Sequence, residues 1–275
     1  NGAKVIVAQA KHLTSGNIAE HSHIALSKGV NEGGQAISAE VRLGDVIDAD
    51  DINIYRQLSG GVTAAQLLHG SANPVGGQSA LVKLKWGHLP NDFLIPNATP
   101  FIKFALGENV KQANWGDFNT VRFPQTRMGV DQVYIDGFSR AIAYHNAQET
   151  FNAMSEKKRE KAELLPPARD LELDALYEVV SGKRRITCHS YVQSEINMLM
   201  HVADSFNFNV NTFTHILEGY KVADKMKAHG AGASTFADWW AYKFEVKDAI
   251  PYNGSLLNKM GGVVASNSDV GERGR

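Results

Sequence analysis

The chain has 275 residues, with 28 Lys+Arg against 29 Asp+Glu, 43% hydrophobic residues and a single cysteine, Cys188. A net charge of −1 provides no basic face for a nucleic acid or an anionic membrane, and one cysteine excludes an intrachain disulfide. No apolar run reaches the roughly 18 residues of a membrane span, and the length suits one large domain with a substantial core.

The N-terminus, Asn1-Gly2-Ala3-Lys4, lacks the charged-then-apolar pattern of a signal peptide. A strand-like run at 4–8 has no visible partner, and the chain stops at 271–275 just after another apolar run. A soluble piece of a longer protein is therefore expected, with the compartment, bacterial cytoplasm or periplasm, left open.

Short β-rich runs follow at 18–23, 62–69, 80–85, 101–106, 185–189, 211–215, 230–235 and 262–267. Helical stretches separate them, which is the pattern of βα units. Eight such runs are the number a closed (β/α)8 TIM barrel requires, and such a barrel takes about 250 residues.

A long helix is expected over 130–163, ending in the charged run Glu156-Lys157-Lys158-Arg159-Glu160-Lys161, read as a solvated face. Pro166-Pro167 stops it and Asp170 opens another helix to about 180. Further helices are expected at 194–204, 220–228 and 241–260, the last broken at Pro251. The Gly-rich stretches 27–53 and 70–79 follow the first two strands, where a barrel carries its active-site loops.

Potential metal ligands fall at the strand ends. His21 and His23 stand two apart, so on a strand both imidazoles face the same side, where an apolar core would not accommodate them. His189 closes the fifth run, His215 the sixth, and Asp269 follows the eighth. Lys103 sits in the middle of Phe101-Ile102-Lys103-Phe104-Ala105, an awkward place for an ammonium. Cys188 points away from the lumen if His189 points in, and reads as a core thiol.

This arrangement resembles the amidohydrolase superfamily, in which strand one carries H-x-H, strands five and six one His each, and strand eight an Asp. Within it, the chain looks closest to imidazolonepropionase-like and prolidase-like members. The stretches that carry this likeness are Glu20-His21-Ser22-His23-Ile24, Leu68-His69-Gly70-Ser71-Ala72-Asn73-Pro74, Phe101-Ile102-Lys103-Phe104-Ala105-Leu106-Gly107-Glu108-Asn109 and His229-Gly230-Ala231-Gly232-Ala233.

The resemblance implies a metal-dependent hydrolase barrel over 15–275, with residues 1–14 the remnant of a flanking β-sandwich domain. It implies one or two divalent ions, most simply Zn2+, with Fe2+, Mn2+ and Co2+ as alternatives. The implied ligands are His21, His23, Lys103, His189, His215 and Asp269, with Lys103 carboxylated and bridging two ions. The reaction implied is hydrolysis of a C–N bond in a small-molecule substrate, with Asp269 shuttling the proton. His69, Tyr191 and His229 are candidate substrate contacts, and a homo-oligomer is compatible with all of this.

The chain departs from the family's pattern at Ser15-Gly16-Asn17, where a Pro-Gly turn is usual, and at Val270-Gly271, where an acidic continuation is usual. An eighth barrel helix is also missing. Two other readings share these residues: a phosphoesterase- or lactonase-like barrel hydrolase, and a silent binding module that keeps the fold.

Overall fold

The computed structural model describes residues 2–26, 29–112, 115–116, 122–236 and 242–267. Residues 2–16, expected to hold a sandwich remnant, carry no strand and are exposed.

The strands are β1 (Asn17–Ser22), β2 (Val62–Leu67), β3 (Val75–Gln78), β4 (Ala80–Lys83), β5 (Phe101–Ala105), β6 (Arg185–Ser190), β7 (Thr212–His215), β8 (Gly232–Thr235) and β9 (Val264–Ser266). They form two sheets, ordered β1-β2-β4 and β3-β5-β6-β7-β8-β9. The second sheet is parallel from β5 to β9.

Among the described residues the strands do not close into the expected single ring of eight parallel strands. The third expected strand, β4, runs antiparallel to β2, and β3 runs antiparallel to β5. One residue, Ser79, separates β3 from β4, and the chain passes there from one sheet to the other. β3 itself lies within the Gly-rich stretch read as a loop, because Val75-Gly76-Gly77-Gln78 offers no alternation to read.

Polar side chains link the two sheets. Gln66 on β2 donates to Thr187 on β6 at 3.3 Å, and Glu20 on β1 accepts from Asn267, just past β9, at 2.8 Å. Ser234 on β8 also donates to Glu20.

The helices are α1 (Ile52–Ser59), α2 (Pro90–Phe93), α3 (Arg127–Ala153), α4 (Glu156–Lys161), α5 (Leu171–Val180), α6 (Gln193–Ser205), α7 (Ala223–His229) and α8 (Asn253–Lys259). The helix expected over 130–163 is thus two. Met154 turns extended, and the Arg159 guanidinium reaches back to donate to the carbonyls of Met154 and Asn152 at 3.0 and 2.8 Å. That side chain satisfies groups left open at the end of α3. The helix expected over 241–260 is a 3-10 turn at Phe244–Val246 followed by α8.

The main core lies between the six-stranded sheet and its helices: Ile102, Phe104, Ile186, Cys188 and Phe213 pack with Tyr134, Phe138, Leu176 and Leu199. A second core covers the small sheet around Ile54, Leu67, Val82 and Phe93. On β5 the alternation is clean, since Ile102 and Phe104 enter the main core and so assign Lys103 to the opposite face. Cys188 likewise lies in the main core, on the face away from His189, and burial raises its thiol pKa.

Tyr134 fixes the loop between the sheets to the end of β5. Its buried hydroxyl lies 2.8 Å from the carbonyl oxygens of both Pro74 and Ala105, and its ring stacks on Phe104. Tyr134→Phe should lower unfolding stability by about 1–2 kcal/mol; urea denaturation should show a lower midpoint at unchanged slope.

Candidate metal centre

The C-terminal ends of four strands bring five of the singled-out residues into one buried cluster. His21 and His23 come from β1 and the residue just past it, Lys103 from β5, His189 from β6 and His215 from β7. The Nε2 atoms of His21 and His23 lie 3.3 Å apart. The ring of His215 is 5.0 Å from His21 and 4.4 Å from His189, centroid to centroid. Lys103 is 1% exposed, and its charge acts on all four imidazoles.

Each side chain is placed by its own backbone. Thr187 and His189 share the face of β6 opposite Cys188 by simple alternation. β7 breaks that rule: period two would put His215 on the face of Phe213, in the outer core. The backbone instead turns left-handed at His215 (φ 66°) and Ile216 (φ 39°), and the strand end rotates inward. Positive φ at a non-glycine pair that includes a β-branched residue is strained, and such strain gathers at functional sites. On β1 the register with β2 shifts between Ala19 and Ser22. Glu20 and His21 lie in that interval, and both reach residues of the other sheet.

Electrostatics keep the imidazoles neutral. Burial first, and the Lys103 charge or the neighbouring histidines next, hold His21, His189 and His215 well below the usual histidine value. Burial, followed by Lys103, brings His23 down to about 4. His23 Nδ1 donates to the carbonyl of Leu68 at 2.8 Å, so in the neutral ring the Nε2 lone pair faces His21. His189 Nε2 is buried and has no hydrogen-bond partner among the described residues.

Among the described residues no group of three or more His, Cys, Asp or Glu is gathered tightly enough to hold a metal ion. Asp269, the carboxylate expected to complete the set, lies outside them.

The chain matches no protein-family model. It is 28% identical over 277 residues, 92% of its own length, to the amidohydrolase TasK of Hapsidospora irregularis. A solved amidohydrolase from Thermotoga maritima MSB8 superposes with a TM-score of 0.80 at 26% identity, covering 98% of this chain and 71% of that one. In sequence and in fold the chain is thus similar to proteins named amidohydrolases. It spans 28% of the length of its curated relative.

Around this centre, the other singled-out residues take different places. His69 is buried, with Nε2 accepting from the Glu32 amide at 2.7 Å and Nδ1 donating to the Gly70 carbonyl at 2.9 Å. Both ring nitrogens are thereby used, and the ring packs on Gly76, where a Cβ would stand 2.5 Å from Nδ1. His69 holds the 29–34 loop.

Tyr191 packs against His189 and His215 at 4.7 and 5.6 Å and does belong to the cluster. The structure does not bring His229 there. It ends α7, ahead of β8, accepts from the Val210 amide at 3.0 Å and meets Asp204.

Three contributors carry no sequence signature of their role. Asp51 caps α1 and also accepts from the Ala25 amide at 2.6 Å, which ties down the chain just after His23. Phe236 stacks on His215 at 4.7 Å. Lys243 lies over the Tyr191 ring at 4.6 Å and pairs with Glu108 and Glu245 at 2.9 and 3.0 Å. An N-cap reading would have found the first part of Asp51's role.

The depressed histidines set a pH dependence for the metal-free chain. Below the unfolded value near 6.5 the unfolded chain takes up protons that folded His21, His23, His189 and His215 refuse. Stability is therefore full above about 6.5 and falls as pH drops towards about 4, the His23 value, at up to about 1.4 kcal/mol per pH unit for each such histidine. Denaturant midpoints of chelator-treated protein at pH 7.5, 6 and 5 should decrease in that order.

Proposed function

We propose that the chain is the metal-dependent hydrolase centre of an amidohydrolase, cleaving the C–N bond of an amide-, lactam- or peptide-like small molecule. The observation that carries this reading is the convergence of four neutral imidazoles and Lys103, from four strand ends, in one buried cluster. We further propose that the two sheets are parts of a TIM-type barrel whose lumen this cluster occupies.

The spacing of His21 and His23 suits two ligands of one divalent ion. Two nitrogen ligands at about 2.0–2.1 Å in tetrahedral geometry stand about 3.3–3.4 Å apart, and the His21 and His23 Nε2 atoms are 3.3 Å apart. Metal ligation needs unprotonated imidazoles, which burial supplies here. The buried, unsatisfied Nε2 of His189 is the kind of atom a cation would satisfy.

His21 and His23 with Asp269 would hold one ion, and His189 and His215 a second, with Lys103 bridging. Zn2+ suits this donor set, as do Fe2+, Mn2+ and Co2+. Carboxylation of Lys103 would replace an ammonium among the ligands by an anion, removing the repulsion that now depresses every imidazole. A bound ion supplies Lewis acidity towards a carbonyl and lowers the pKa of water towards ~7. Asp269 would take the proton from that water and pass it to the leaving nitrogen. Tyr191 and Phe236, stacked on His189 and His215, would wall the site and keep bulk water out.

Elemental analysis of the purified chain should find one or two transition-metal ions per molecule, and His21→Ala/His23→Ala should lose most of them. Asp269→Asn should slow amide hydrolysis by about 10²–10⁴-fold while most of the metal stays bound. A wild-type chain free of metal, or an active Asp269→Asn variant, would overturn the reading.

A further inference from the structure

Beside the 242–248 segment lies a second pocket of about 550 Å3, within the range of small-molecule sites. Its walls come from the loops after β5, β6, β7 and β8, so it opens on the same end of the sheet as the histidines. None of the histidines lines it; eight of its twelve lining residues are charged.

Most of those charges are already paired. Lys111 meets Glu195 at 3.0 Å. Lys221 meets Asp248 and Glu218 at 2.8 and 3.4 Å. Lys243, standing behind the wall, pairs with both Glu108 and Glu245.

Two cations on the lining are left with donors to spare. Arg127 touches Glu195 only through Nε, at 3.3 Å, and its side chain is 61% exposed. Its two Nη groups make no hydrogen bond among the described residues. Lys247 lies over the Phe244 ring at 4.8 Å and has no carboxylate within ion-pairing distance among those residues. A planar guanidinium fork and an ammonium on the lining of one pocket suit the two oxygens of a carboxylate.

One carboxylate of the wall is already held at the start of α6. Glu218 accepts from the amide of Gln193, the first residue of α6, at 3.0 Å, and both Gln193 and Ser194 line the pocket. The paired acids around the rest of the wall oppose a multiply charged anion. A compact monocarboxylate gains the two spare cations without confronting a concentrated negative field.

We propose that this pocket is a carboxylate-binding site, distinct from the histidine centre, with Arg127 and Lys247 as its recognition pair. Its outlook on the centre is through Lys243, which joins Glu108 and Glu245 on the pocket wall to the ring of Tyr191. The proposal stands or falls independently of hydrolysis.

The test is calorimetric titration of the purified chain with N-acetylglycine and with its uncharged counterpart N-acetylglycinamide, at low salt. The wild type should bind the carboxylate at least tenfold more tightly than the amide. Arg127→Gln/Lys247→Met should bring that preference below about twofold. His21→Ala/His23→Ala should keep it. No preference in the wild type, its survival in the Arg127/Lys247 variant, or its loss with the histidines would each overturn the proposal. So would inorganic phosphate competing more strongly than N-acetylglycine. Because Arg127 and Lys247 are exposed and Lys111 still holds Glu195, the variant should unfold at the wild-type temperature; the same titrations with Lys247→Met alone give an independent check.

Discussion

The structure turns on the burial of four imidazoles around an ammonium. Each group would hold a proton or a water molecule in solvent, and together they cannot all be charged in a dry interior. Desolvation settles the conflict by stripping the histidines of their protons, and the Lys103 charge reinforces it. The outcome is a set of lone pairs converging where two sheets meet. For a folded chain that is a liability; for a cation-binding centre it is the required starting state.

Much of the surrounding architecture keeps that arrangement in place. Asp51 and Leu68 hold the chain around His23, and the left-handed backbone at His215 and Ile216 turns the fourth imidazole inward. Tyr191 and Phe236 stack against the exposed flank of the rings. The 242–248 segment, which follows β8, crosses to Glu108 beyond β5 and lies over Tyr191. Val246 beneath it is fully buried with Leu217 and Phe236, so this segment is anchored by apolar packing as well as by Lys243.

What the sequence revealed depended on periodicity. His21, His23 and His189 were legible because alternation on a strand fixes which face a side chain takes, and Lys103 because an ammonium among Phe101, Ile102 and Phe104 is out of place. His215 was found by its position at a strand end, although alternation alone would have turned it outward; only the strained backbone explains its direction. His229 had the same local look, yet it serves the turn before β8, since a histidine at the start of a strand and one at its end are indistinguishable without register. β3 was hidden by its glycines. The division between α3 and α4 was hidden because a charged, helix-favouring run continues through Met154 and Ser155, and the break rests on Arg159 reaching back across it. Asp269 falls outside the described residues, so its place rests on the family resemblance.

The same logic bears on how the two sheets stay together. Among the described residues no strand ladder joins β1 to β9. On that side the contacts are polar: Glu20 with Ser234 and Asn267, Gln66 with Thr187, and His21 with His215. Polar contacts of this kind contribute little net stability unless every group is satisfied, and the buried Nε2 of His189 has no hydrogen-bond partner among the described residues. A ligand bridging His21 and His23 to His189 and His215 would bind the folded arrangement far better than the unfolded chain, and so would stabilise it by mass action. On the proposed reading the site would close the fold as much as the fold builds the site, and the chain would be least stable without its ligand at acidic pH.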